Sequence, residues 1–74
     1  MYSIGLDVSK LTINCFISKG EINLVINNNK KSLNQLYVRL KKIYKMEITN
    51  IVFIFEPTGT YSTLLTIFCS DNNI

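Results

Sequence analysis

The chain has 74 residues, with eight Lys and Arg against five Asp and Glu and a net charge of +3. At 47% hydrophobic and 18% charged residues, it is too apolar for a disordered chain, and its length allows one small domain. It has no histidine and two cysteines, which excludes a Ser-His-Asp triad, a histidine general acid or base, and zinc-finger ligand spacing.

A domain of this size buries only ~60% of its unfolded surface, and many such domains lean on disulfides or a structural metal. Cys15 and Cys69 show no redox-motif spacing and read as buried free thiols. The charge permits nucleic acid as a partner without demanding it. The N-terminus lacks a basic segment, Asp7 interrupts the first apolar run, and no run approaches the ~18 apolar residues of a membrane span. The expectation is a cytoplasmic chain with no membrane association.

Tyr2 to Val8 reads as a strand, with Ile4, Leu6 and Val8 on one face and Ser3, Gly5 and Asp7 on the other. Thr12 to Ser18 alternates likewise through Ile13, Cys15 and Ile17. After a turn at Ser18-Lys19-Gly20, Ile22, Leu24 and Ile26 mark a third strand. The short connections predict an antiparallel meander, ended by Asn27-Asn28-Asn29. Ser32 is a candidate helix N-cap. At about 100° per residue, Leu33, Leu36, Tyr37, Leu40, Ile43 and Tyr44 share an arc of roughly 120°. Arg39, Lys41, Lys42 and Lys45 lie on the remaining circumference, and Val38 is the one apolar residue off the arc.

Ile51 to Phe55 is a continuous apolar run, the pattern of a strand buried on both faces. Glu56 follows it, then Pro57-Thr58-Gly59-Thr60. The stretch Tyr61 to Cys69 reads as a second helix that Thr58 or Thr60 would cap, although Thr63, Thr66 and Ile67 weaken it. The order is β-β-β-α-β-α, and a crossover helix before a buried strand predicts parallel pairing in a mixed sheet. The chain stops where an α/β domain would start another strand, which predicts a single, incomplete domain over 1–74.

Two acids stand out by position. Asp7 lies near the end of the first strand and Glu56 at the end of the most apolar one. A buried, unpaired acid in either place costs several kcal/mol, so each calls for a partner or an exposed strand end. If the first and fourth strands are neighbours, about 4.8 Å apart, both carboxylates reach one hard divalent cation. Oxygen ligands without histidine suit Mg²⁺ or Mn²⁺, ions that drive phosphodiester chemistry. A solvated strand end, or an Asp7 cap on the Ser9 or Lys10 amide, is the plainer reading of each acid alone. Glu21, Glu47 and Asp71 read as solvated. Lys30, Lys31, Arg39, Lys41, Lys42 and Lys45 are able to track phosphates, although such a stripe is more often a solvated helix face. Tyr37, Tyr44, Phe53 and Phe55 fall at core periodicities rather than forming a base-stacking platform. Gly59 suits a tight turn.

Ile4-Gly5-Leu6-Asp7-Val8-Ser9-Lys10 resembles the opening signature of the DEDD transposases, the IS one-ten insertion-element family and the related Piv invertases. Phe55-Glu56-Pro57-Thr58-Gly59-Thr60-Tyr61 resembles that family's second signature, Glu-Ala-Thr-Gly-x-Tyr, with Pro57 in place of alanine. The resemblance covers essentially the whole chain. It implies a ribonuclease H-like, RuvC-type mixed sheet, truncated before its fifth strand, that acts on DNA with Mg²⁺ or Mn²⁺. Asp7 and Glu56 match the first two metal-ligating, catalytic acids of the four-acid set, and the two later aspartates fall after Ile74. Lys10 and Thr58 become candidates for phosphate or supporting contacts to nucleic acid. The resemblance further implies DNA and an element-encoded guide RNA as partners of the parent transposase, with the fragment inactive alone. Without a fifth strand, a sheet edge is open to self-association.

Two other readings stay open. One is a non-catalytic, small basic α/β module that binds a partner or dimerises. The other is a fragment of an ASKHA-type kinase or ATPase, in which a Gly-rich turn usually follows the first-strand Asp; Val8-Ser9-Lys10-Leu11 has no glycine.

Overall fold

The computed structural model describes residues 1–56 and 59–74. Three strands come first: β1 (Tyr2–Val8), β2 (Thr12–Ile17) and β3 (Ile22–Asn27), followed by α1 (Lys30–Tyr44). A short 3-10 helix (Lys45–Asn50) leads into β4 (Ile51–Ile54), and α2 (Thr63–Asp71) completes the chain. The protein is thus a mixed α/β fold with a four-stranded sheet in the order β3-β2-β1-β4. β1–β2 and β2–β3 pair antiparallel, whereas β1 and β4 run parallel. The connection through α1 passes over β2 and β1 to set β4 at the far edge.

Alternation decides which side of the sheet is covered. Ile4, Leu6, Ile13, Cys15, Ile17, Ile51 and Phe53 form one buried cluster with Leu33, Leu36, Leu40 and Tyr44 of α1 and Leu65, Phe68 and Cys69 of α2. Both helices therefore pack on the same face. Tyr37 and Phe68 meet edge-on between them, with ring centroids 5.9 Å apart. Tyr44 packs against Tyr2 at 5.1 Å, so the aromatics serve packing, as their periodicity predicts.

The opposite face is open. Phe16, Val25 and Ile54 are exposed there, and Val52 is half-buried. This differs from the double-sided burial expected of the fourth strand, and the reason is topological. An apolar run signals burial but not which layer provides it, and among the described residues both helices lie on the other side.

Helix boundaries also differ in detail. The N-cap of α1 is Asn29, whose side chain accepts from the Ser32 amide at 2.8 Å, so Ser32 lies inside the first turn. Val38, the apolar residue off the helix stripe, is exposed. α2 begins two residues later than expected, after Ser62. Thr60 lies in the preceding turn, and Thr58 lies outside the described residues. Cys15 and Cys69 are unpaired and buried, and burial pushes both thiols up to about 11. No helix among the described residues is long and apolar enough to cross a membrane.

Candidate functional site

β1 places Asp7 one residue before its end, on the open face of the sheet, where the side chain is exposed. Across the antiparallel ladder it stands opposite Asn14. The parallel register of β1 with β4 runs from Tyr2 opposite Ile51 to Gly5 opposite Ile54. Numbered on by two residues, that offset would match Asp7 with Glu56, although the ladder itself ends at Gly5 and Ile54. The neighbouring strands that a shared cation requires are therefore present.

Asp7 and Glu56 line one cleft of about 340 Å³, together with Leu6, Val8, Ile54, Phe55, Gly59 and Ser62. A larger hollow of about 540 Å³ lies over Gly5, Asn14, Phe16, Asn23 and Val25 and also reaches Asp7. It contains one carboxylate, so the smaller cleft is the one that joins the two acids. Both carboxylates are exposed, which removes the desolvation cost a buried pair would carry.

Glu56 lies beyond the last residue of β4, so the sheet ladder does not hold it. Its carbonyl instead accepts from Ser62 Oγ at 3.0 Å and from the Gly59 amide at 3.3 Å. The Ser62 amide in turn donates to the Gly59 carbonyl at 3.2 Å. Ser62 is the one buried polar or charged residue among the described residues. It stands at the N-cap of α2 without making a side-chain cap: its backbone is αR (φ −93°, ψ −1°) rather than extended, and its hydroxyl is turned to donate to the Glu56 carbonyl. A Cβ on Gly59 would come within 3.1 Å of Ser62 Oγ and 3.4 Å of the Glu56 carbonyl. Glycine at 59 thus lets this short closure form.

The turn after Asp7 is tied with similar economy. Ser9 donates from its amide and from Oγ to the Thr12 carbonyl, both at 2.9 Å. Lys10 sits exposed on this turn, at the same end of the sheet as Asp7. Thr58, the other candidate phosphate contact, lies outside the described residues. The cations of α1, from Lys30 to Lys42, are exposed, as is Lys45 beyond it. Lys41 Nζ rests 4.7 Å from the centre of the Tyr37 ring and Lys19 Nζ 5.5 Å from that of Tyr44, so two lysines cover aromatic surface as well as face water.

Asn28, read from the sequence as part of a strand-ending run, has a larger part. Its Nδ2 donates to the Ser9 carbonyl at 2.9 Å and to the Tyr61 carbonyl at 3.1 Å. Its amide donates to the Leu11 carbonyl at 2.9 Å. The one signal in sequence for Ser62 was its place just before a helical stretch; for Asn28 there was none beyond residue type.

The donor set is two carboxylates, and no group of three or more His, Cys, Asp or Glu able to hold a metal occurs among the described residues. Two carboxylate oxygens with water in the other positions fit the way Mg²⁺ is commonly bound, whereas they make a poor zinc site. Comparison with known protein families, curated proteins and solved structures finds no match for this chain.

Proposed function

We propose that the chain carries the first two acids of a ribonuclease H-like, RuvC-type nuclease site and belongs with the DEDD transposases its two motifs resemble. The observation that supports this most is that Asp7 and Glu56 line one cleft at the end of the parallel β1–β4 pair. In this reading Asp7 and Glu56 hold Mg²⁺ or Mn²⁺ as two of the four acids of the family pattern. Held there, such an ion would supply activation of a nucleophile and stabilisation of the leaving oxygen at a DNA phosphodiester. Asp7 anchors one side of that site from a strand paired on both edges, and Glu56 closes the other from a loop tied to Ser62. Lys10 and Thr58 are proposed contacts to the DNA backbone. DNA, and a guide RNA in the parent protein, are the proposed partners, the setting is cytoplasmic, and the free edge of β4 offers a route to self-association.

The cationic surface of α1 is what favours the second reading, a non-catalytic basic module. Residues 22–46 contain six Lys and Arg and no acid. That module gives Asp7 and Glu56 no reason to share an ion. A Mn²⁺ titration followed by NMR separates the two. Paramagnetic broadening centred on both Asp7 and Glu56, and abolished at both by Glu56→Gln, is the expected result. Broadening confined to one acid, or unchanged by that substitution, breaks the shared site.

A further inference from the structure

The two acid-bearing segments meet a third residue that neither motif contains. Asn28 lies between β3 and α1, 19 residues from Ser9 and 33 from Tyr61. Ser9 belongs to the segment that follows Asp7, and Tyr61 to the segment that follows Glu56. A single primary amide nitrogen therefore spans both. The backbone of Asn28 adds a third attachment, to Leu11 on the far side of the same turn.

The chemistry selects asparagine. Nδ2 has two hydrogens, and both acceptors are backbone carbonyls, so the amide orientation is fixed: reversed, it would set an oxygen against two oxygens. Oδ1 is buried and has no hydrogen-bond partner among the described residues. A buried acceptor left unpaired is unfavourable, so the side chain is held in place by its donor end alone. Aspartate keeps the size but loses both donors. Glutamine keeps the donors on a longer arm.

We infer that Asn28 is a positioning residue, whose side-chain amide ties the turn after Asp7 to the loop after Glu56 and thereby sets the spacing of the two carboxylates. The inference rests on the shared-cation reading for its purpose, but not for its geometry. β4 and β1 stop pairing at Ile54 and Gly5, so beyond that level the ladder no longer sets the separation of the two acids. Asn28 bridges the gap where the sheet ends; groups bonded directly to metal ligands typically contribute about 10–100-fold in affinity, and Asn28, which holds the two segments rather than the carboxylates, is expected at the lower end of that range.

Two variants test it, Asn28→Ala and Asn28→Asp, each read in two ways. Amide hydrogen exchange without metal is expected to quicken on the order of tenfold at Ser9 and Ser62 in both variants, while Ile13, Cys15 and Ile17 keep their protection. Mn²⁺ affinity, read by broadening at Asp7 and Glu56, is expected to fall on the order of tenfold. The Asp variant should do no better than the Ala variant, although its added charge favours a cation. Uniform loss of protection through β1, β2 and β3 would make Asn28 a general stability residue and overturn the inference. So would unchanged exchange at Ser9 and Ser62, or Mn²⁺ affinity within twofold of the parent chain. A parent chain that takes up no Mn²⁺ overturns the shared cation instead, and the metal-free exchange still decides whether Asn28 couples the two segments.

Discussion

β1 carries one acid and β4 leads into the other, but β1 runs seven residues between two hydrogen-bonded neighbours, whereas β4 runs four and, among the described residues, pairs on one side only. Asp7 consequently sits inside a ladder that fixes its height and its face. Glu56 has left the ladder, and three hydrogen bonds among Glu56, Gly59 and Ser62 close the segment that carries it. The difference separates two kinds of sensitivity. Damage to β1 should cost the whole fold, whereas damage around β4 should move one carboxylate and leave the meander standing.

The largest effect is expected from Ile4→Ala. Ile4 is fully buried and paired with both Ile17 and Phe53. The loss should be about 2–5 kcal/mol, against a total stability of roughly 4–11 kcal/mol for a chain of this length. Urea denaturation would show it, and a loss under 1 kcal/mol would remove β1 from its central place.

Ser62→Ala comes next. It deletes one hydrogen bond to the Glu56 carbonyl and should cost about 1 kcal/mol. Amide shifts should concentrate at Gly59 to Leu65, with Asp7 and Asn14 unmoved. Shifts spread equally to β1 and β2 would erase the contrast between the two acids. Gly59→Ala should disturb the same segment, because its Cβ presses on Ser62 Oγ.

The thiols sharpen the comparison, since Cys15 pairs with Leu6 of β1 and Cys69 lies on α2, after β4. Burial raises both to about 11 from an ordinary 9.0. The folded form thus favours the neutral thiols, while the unfolded chain ionises from pH 9 upward. Stability from this source is complete below pH 9 and should decline as pH rises from 9 to about 11. At neutral pH, alkylation followed by mass spectrometry should label Cys69 before Cys15 if the β4–α2 segment opens on its own. Equal rates would mean that the two regions open together.

Ile54→Ala should do least, within about 0.5 kcal/mol, since Ile54 is 58% exposed on the uncovered face. A large destabilisation would show that this face is covered in solution.

The four strands, the two α-helices and the face of the first strand on which Asp7 stands are legible in the sequence, whereas the 3-10 helix at Lys45–Asn50 is not. Those features are local: period-two alternation in β1 and β2 and the 3.6-residue stripe of Leu33, Leu36, Leu40 and Tyr44 are written in consecutive residues. The place of Glu56 after an apolar strand is legible too. Long-range packing decided that β4 pairs with β1, which face of β4 lies open, and how Ser62 and Asn28 are used. Asn28 sits in a run of three asparagines whose side chains are chemically identical. One of them caps a helix and the next one back bridges two loops. Hydrogen bonds between residues 19 and 33 positions apart leave no periodic trace in a chain, because they depend on where separate segments come to rest once the apolar faces have been buried.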